Sequence, residues 1–511
     1  MKRLLTVAAG VLVSVCAPAV VRGEPPVPAA VAPGAPSAKE SRVERWYVLM
    51  MQGQRAGYLQ SVETAQGDRI TTTSDMHMEL KRGPINMTVL MQSSFVETLD
   101  GKPVSMKMVQ QLGGMATTTE TTFTPDGIET VSTVGSQKTT KKSPLPREAW
   151  MTPGAAERYV KAELAKGSRE MTVTTIDPTV GEGLLKVTRR VVGEENVQVF
   201  GKTVPAVKWE VVVDKFKTIK QAEYVSAAGE TLRSVTDMGG IKLEQLAADK
   251  ELALSKLDAP ELLESTTVRP SRELKDPRHL AHATYRLSVD KGELPDLPGA
   301  AGQTFSRESG RTAVVQQEAA AVEPVAAEQL EAVKAKHLEA SPTIKGDDEA
   351  VVALVKRAKV DGLSDASAAE KLRRFVHSFI TQKNMNVGFA TASEVARSRE
   401  GDCTEHAVLL AAVLRAAGIP SRCCSGLVYV DRFAGQEGIF GYHMWTQALL
   451  RQADGSWAWK NLDATLRDET PYDAAHILLS VSALGEGEMQ NFLVTTAPLI
   501  GRLKIEVVEA K

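Results

Sequence analysis

Cysteine is scarce, with four in 511 residues, at positions 16, 403, 423 and 424. That excludes a disulfide-dense scaffold, and no CxxC pair supplies the spacing of a structural zinc site. Charge of one sign is missing as well, since 61 Lys and Arg stand against 63 Asp and Glu, for a formal charge of -2. Without a basic or acidic excess, no bulk field recruits nucleic acid or an anionic membrane. After the first residues, no apolar run approaches the roughly 20 residues that a bilayer-spanning helix needs. HExxH spacing and a calcium loop of spaced carboxylates are also lacking, so no metal and no cofactor is expected. What is present, 43% hydrophobic and 24% charged residues, is ordinary globular composition. A length well past roughly 250–300 residues implies several domains.

The N-terminus reads MKRLLTVAAGVLVSVCAPAVVRGEPP. Lys2 and Arg3 precede an apolar stretch and then small residues, the layout of a secretory signal. Residues 1–23 are therefore expected to be a signal peptide cleaved after Ala19 or Gly23, and the chain to be exported to a periplasm or the extracellular space. Lipidation at Cys16 fits less well, because Val15 precedes it where that signal wants a small residue. Residues 24–42 hold five Pro and many Ala without periodicity, which reads as an extended tether.

Residues 43–250 alternate in short runs broken by turn residues, such as Gln52-Gly53, Asp100-Gly101 and Pro125-Asp126-Gly127. The pattern predicts an antiparallel sheet with Thr-rich solvated faces, with one helix over 154–164 and a division into two halves near Trp150. His77, alone in a strand, reads as structural. Residues 251–340 read as a small β module and connector, with a strand at Ala283–Val289. From 341 to 511 the chain turns helical at first, and Leu372, Phe375, Val376, Phe379 and Ile380 make an i, i+3, i+4, i+7, i+8 stripe. Its caps and stripes are consistent enough to predict that this part folds alone.

One segment carries chemistry. In Gly401-Asp402-Cys403-Thr404-Glu405-His406, Asp402 and Glu405 are spaced as a capping box, and Gly418 with Pro420 marks the helix stop. Cys403 thus falls in the first turn of a helix that is apolar nearly all round, where the N-terminal field favours a thiolate. Asp402 opposes that effect, so a histidinium is the natural partner. Downstream, His443 and Asp463 fall on neighbouring strands of a hairpin. A three-residue turn at 452–454 would pair them directly, whereas a two-residue turn at Asp454-Gly455 would put them on opposite faces, and the functional reading predicts the first, or a bulge with the same effect. The plainer readings place His406 as polar support, Trp445, Trp457 and Trp459 in the core, and Cys423 and Cys424 as packing residues on opposite faces of one strand.

The motifs GDCTEHAVLLAAVLRAAGIPSR, GYHMW and WKNLDAT, in this order across roughly residues 345–470, resemble the transglutaminase-like superfamily. The resemblance implies a papain-like core and assigns Cys403 as nucleophile, His443 as general base and acid, and Asp463 as the residue that orients the imidazole. Asn384 and Asn386 are weak candidates for a second oxyanion donor beside the Cys403 N–H. The whole reads as a multidomain α+β protein, an antiparallel β-rich N-terminal region followed by a transglutaminase-like α+β domain over 341–511. The implied activity is thiol-dependent acyl transfer on amide bonds of proteins or peptides, foremost a cysteine protease or amidase. Protein crosslinking, or a non-catalytic scaffold that keeps the fold, are the alternatives.

Overall fold

The computed structural model describes residues 38–511, apart from 83–84, 113–114, 135–136, 217–218, 238–240, 258, 262–265, 342, 384–389, 468–470, 485–495 and 497–498. The signal segment, most of the tether, Asn384 and Asn386 therefore lie outside the described residues.

From β1 (Ala38–Met51) to β14 (Lys242–Ala248) the described strands form one 14-stranded antiparallel sheet. Its order runs from β8 (Gln137–Ser143) stepwise back to β1, crosses to β14, and steps back to β9 (Glu170–Asp177). The sheet is thus two meanders joined edge to edge, with Trp46–Met51 paired to Leu243–Ala248. β1 starts at Ala38, before the Val43 expected, because Ser41–Arg45 already pair with Ser61–Ala65. Alternation places Tyr47, Leu49, Met51, Met76, Met78, Leu80, Met87, Val89 and Met91 on one buried face, as a period of two requires.

The sheet curls on itself, since Phe95, Met106, Phe123 and Ile128 of the first half pack against Ile176 of β9. Helix α1 (Pro153–Ala165) lies within that curl. On one side Glu97 accepts from the Gly154 N–H and from Arg158, each at 2.9 Å. On the other side Tyr159, Val160 and Leu164 pack on Met171, Trp209 and Val225. A short helix, α2 (Lys250–Leu254), follows β14 and is tied to the sheet through Arg55, which donates to the Leu252 and Ala253 carbonyls.

The rest of the chain builds two smaller sheets and a helical layer. One sheet has the order β19 (Glu323–Val325), β22 (Trp457–Leu462), β21 (Gln436–Arg451), β20 (Ser421–Phe433) and β23 (His476–Ser482), with β15 (Thr267–Val268) on the far part of β21. The other has the order β17 (Gln303–Ser309), β18 (Thr312–Glu318), β16 (His282–Val289) and β24 (Leu503–Ala510). Helices α3 (Leu330–Leu338), α4 (Glu349–Ala358), α5 (Asp365–Phe379) and α6 (Ala392–Ser398) precede α7 (Cys403–Ala416), which is buried from Glu405 to Arg415. The α5 stripe and α7 share one core with Cys423, Ala448 and Leu450 of the first sheet.

A tight turn at Ala434-Gly435, with φ of +50° and +85°, lets β20 and β21 pair out to Phe433–Gln436. Residues from 341 onward share their sheets with earlier parts of the chain, since β15 and β19 belong to the same sheet as β20–β23, and β24 pairs with β16. Among the described residues, no helix is long and apolar enough to cross a membrane.

Candidate active site

Cys403 is the first residue of α7 and is partly exposed. Asp402 caps the helix by accepting from the Thr404 N–H at 2.9 Å, and Glu405 closes the box by accepting from the Asp402 N–H at 2.9 Å. Neither contact uses the Cys403 N–H, which lies at the positive end of the helix. Glu405 also accepts from the Ala390 N–H at 2.8 Å, and burial together with the Asp402 charge pushes its carboxyl up to about 8. It is therefore protonated near neutrality. Gly401 is required beside it: its φ is +155°, and a Cβ there would lie 2.2 Å from the Glu405 Cβ.

Strand β21 brings His443 to this thiol. The Thr446 hydroxyl donates to the Ala407 carbonyl at 2.9 Å, which pins the strand of His443 against the helix of Cys403. On β20, Gly426 lies opposite His443. A Cβ at Gly426 would come within 2.1 Å of the Ile477 carbonyl oxygen and 2.8 Å of the Trp445 ring, so only glycine lets the strands and Trp445 pack this closely.

His443 Nε2 lies 2.7 Å from Asp463 Oδ2, and the imidazole also hydrogen-bonds the Cys403 side chain. The same-face placement that the functional reading predicts is reached through a longer turn than either of the two weighed. Arg451 pairs with Trp457 across a five-residue turn, so Asp463 falls opposite Trp445, one pleat along on the same face as His443. Asp463 is held by its own contacts. Its Oδ1 accepts from the N–H and the hydroxyl of Thr465, each at 2.7 Å, and its carbonyl accepts from buried Arg373 at 3.3 Å.

The sequence reading missed His476. This residue, wholly buried on β23, places Nε2 3.3 Å from the same Asp463 Oδ2 and Nδ1 2.9 Å from Asp473 Oδ1. Asp473 in turn pairs with Arg278 at 2.9 Å. The His476 ring is flanked by Tyr472 at 4.4 Å and by the edge-on Trp445 at 5.2 Å. The available signal was the Asp473–His476 spacing just before the apolar run Ile477–Leu479.

Burial pulls both imidazoles toward the neutral form, but the carboxylates win. Asp463, with the Cys403 contact, carries His443 up to about 9, and Asp473 with Asp463 carries His476 up to about 9. Asp463 is held well below the usual carboxylate range, because the two imidazoles outweigh its burial. His443, Asp463 and His476 have atoms within 4.8 Å of one another, and their hydrogen bonds account for that closeness.

His406, one turn along α7, has the opposite character. Its Nδ1 donates to the Asp402 carbonyl at 2.6 Å, its Nε2 is buried without a partner, and burial pushes it down to about 4. It is a neutral support for the helix start. Trp445 and Trp459 are core residues at 1% and 2% exposure. Cys423 and Cys424 are buried in separate clusters, and burial pushes the Cys423 thiol up to about 12.

Residues 352–464 match the family model of the transglutaminase-like superfamily, and this part of the chain is a transglutaminase-like domain. Nothing among the curated proteins matches the chain. Of solved structures, a β-barrel-like protein of a domain of unknown function from Brucella abortus is 12% identical, with a TM-score of 0.29 over 42% of this chain and 98% of that one. A candidate cysteine protease from Cytophaga hutchinsonii is 15% identical, with a TM-score of 0.25 over 45% and 86%. The periplasmic domain of TgpA from Pseudomonas aeruginosa is 13% identical, with a TM-score of 0.24 over 42% and 94%.

Proposed function

We propose that the protein is an exported, thiol-dependent enzyme that hydrolyses amide bonds of proteins or peptides through a thioester on Cys403. The observation that carries this reading is the run of contacts from the Cys403 thiol to His443 and from His443 to Asp463 at 2.7 Å, set at a helix N-terminus. His443 takes the thiol proton, and the thiolate sulfur bonds to the amide carbonyl carbon. The oxygen of the tetrahedral intermediate is stabilised by the Cys403 N–H and the helix field. As the C–N bond breaks, the histidinium returns its proton to the leaving amine. His443 then takes a proton from water, the hydroxide bonds to the thioester carbon, and the C–S bond breaks to release the acid and the thiolate. Asp463 keeps Nε2 protonated and balances the histidinium, while His476 fixes the carboxylate from its other side. Partial exposure of Cys403 leaves water free to compete with amines for the thioester.

The test is iodoacetamide labelling of the folded full chain near neutral pH, read by peptide mass spectrometry. Label on Cys403, with Cys423 and Cys424 spared, is the expected result. Equal or absent labelling of Cys403 would return the fold to a scaffold role. A fluorescent primary amine added with a protein substrate then separates the outcomes, because incorporation of the amine without cleavage means crosslinking.

A further inference from the structure

Beside the thiol stands a cation that none of the steps above uses. Residues 381–383 run along the chain that enters α7: the Thr381 and Gln382 N–H groups donate to the Arg399 carbonyl, each at 3.1 Å, and the Gly401 N–H donates to the Gln382 carbonyl at 3.0 Å. Gln382 pairs in parallel with Glu400. Lys383 therefore falls level with Gly401, one strand spacing of about 4.8 Å away, and Gly401 is two residues ahead of Cys403. The Lys383 ammonium reaches the last turn of α5, where it lies 3.4 Å from both ring nitrogens of His377. His377 Nδ1 donates to the carbonyl of Ala464 at 3.0 Å, the residue that follows Asp463. The ammonium is thus bracketed by the segment leading into Cys403 and the segment leading out of Asp463, at the rim of the cleft between them. Its field reaches the buried His406 ring on α7, which burial foremost, then Lys383 and His377, keep neutral.

This ammonium has no good acceptor. The Ala464 carbonyl takes the Nδ1–H, so His377 offers only its Nε2 lone pair, and equal distances to the two nitrogens place Lys383 midway between them instead of on that pair. Burial lowers Lys383 from the ordinary lysine value, and no carboxylate among the described residues offsets that loss. The acids of the site are engaged elsewhere, Asp402 on the Thr404 N–H and Asp463 between His443 and His476. A partly dehydrated cation without a counter-charge is stabilised by an anion that comes with the substrate.

We propose that Lys383, held at the rim by His377, is a carboxylate-binding subsite of the cleft, so that the peptides presented to Cys403 carry a carboxylate near the reacting amide, from an acidic side chain or a free chain end. The subsite rests on the acyl-transfer reading above and adds to it a substrate class. Lys383 is a specificity determinant here, separate from the bond-making steps of Cys403 and His443.

The experiment needs no natural substrate. Cys403 of the full chain is alkylated near neutral pH with iodoacetate, an anion, and with iodoacetamide, its neutral counterpart, and the ratio of the two rates is set against that of a free thiol, N-acetylcysteine amide. The parent's ratio should exceed the free thiol's, and Lys383→Gln should lower it by about fivefold, the size of one exposed ion pair. Lys383→Arg should keep the ratio, Lys383→Glu should lower it further, and added salt should shrink the difference. A lysine that only braces α5 would change both rates alike, so a parent-like ratio in folded Lys383→Gln overturns the proposal. Two blocked ligands then separate the sources, acetyl-glutamyl amide for a side chain and N-acetylglycine for a chain end. Whichever slows iodoacetamide alkylation of Cys403 more than neutral N-acetylglycinamide identifies the carboxylate, and protection by neither overturns the assignment to peptides. A Cys403 inert to both reagents sinks the thioester mechanism and the subsite with it, whereas rapid alkylation at the free thiol's ratio sinks the subsite alone.

Discussion

Asp463→Asn probes the site at its most connected atom pair. All four contacts of this side chain are accepted ones, Oδ1 from Thr465 and Oδ2 from His443 and His476. Asparagine offers one acceptor oxygen and one NH2. The Thr465 N–H and hydroxyl claim the oxygen, so the amide nitrogen faces two imidazole nitrogens that must themselves become acceptors. For His443 the proton then moves to the nitrogen that serves Cys403, and the ring can no longer take the thiol proton. A tautomer reversal of this kind in a serine-type triad costs about four orders of magnitude in kcat, equivalent to about 5.4 kcal/mol of transition-state stabilisation. The fold loses stability as well, because two buried imidazoliums lose a shared counter-charge. Breaking a buried pair from one side costs roughly 3–5 kcal/mol, an upper figure here since both rings can shed a proton. The assay needs no substrate: iodoacetamide alkylation of Cys403, mapped by mass spectrometry, is followed against pH. In the folded variant the rate should fall sharply near neutrality, because the imidazole no longer takes the thiol proton. A folded variant with the parent's rate and pH profile would refute the reasoning.

Cys403→Ala and His443→Ala should both abolish turnover of any amide substrate the parent cleaves, with Cys403→Ala leaving the thermal midpoint nearly unchanged; retained turnover in either would remove these residues from catalysis. Glu405→Gln should be tolerated to within about 1 kcal/mol, since a neutral amide resembles the protonated acid. Glu405→Ala strands the Ala390 and Asp402 N–H groups and should cost about 2 kcal/mol or more by chemical denaturation, so equal losses in the two variants would show Glu405 to be ionised. His443 and His476 are raised from the ordinary 6.5 to about 9, so the folded chain holds protons that the unfolded chain has released. Stability is then full below pH 6.5 and falls as pH rises through 9, and a urea midpoint that stays flat or climbs over this window would contradict the charge assignment. A fragment of residues 341–511 should lack a cooperative unfolding transition while one of residues 266–511 keeps it, and cooperative unfolding of the shorter piece would show the connector strands to be dispensable.

What was legible in the sequence was local. The Asp402–Glu405 box, the Gly418 stop and the α5 stripe each depend on side chains within about one or two turns of one another, so spacing alone specifies them. The hairpin expected to carry His443 and Asp463 is present as β21 and β22 (Trp457–Leu462), because turn residues separate the two strands. The His443–Asp463 register was undecided, since it depends on whether the chain at 452–456 makes two, three or five turn residues, and the sequence allows each. His476 was invisible for a different reason. Its position beside Asp463 is set by the pairing of β23 with β20, where Gly426 meets Leu478, a contact that no local pattern announces. Likewise the meeting of β1 with β14 joins residues some 200 apart, and periodicity reports faces but not neighbours.

The connector also bears on why the site is stiff. From Arg278 through Asp473, His476, Asp463 and His443 to the Cys403 thiol, positive and negative groups alternate along an almost wholly buried line. Each buried charge has an opposite neighbour on both sides, which offsets its desolvation, and no member can move without leaving another uncompensated. The line begins outside the matched residues 352–464, on the connector. Gln303, also on the connector, brackets β23 by donating to the Leu478 carbonyl and accepting from the Leu478 N–H, each at 2.8 Å. The Ala301 carbonyl holds Asn461 at 2.6 Å, and Asn461 holds the indole N–H of Trp445 at 2.9 Å, the ring that lies along His443. The candidate reacting groups thus come from one stretch of sequence and their immobility from another. A preorganised imidazole is worth most when it need not be ordered during a reaction, so under the proposed function the connector would act as a positioning element for His443.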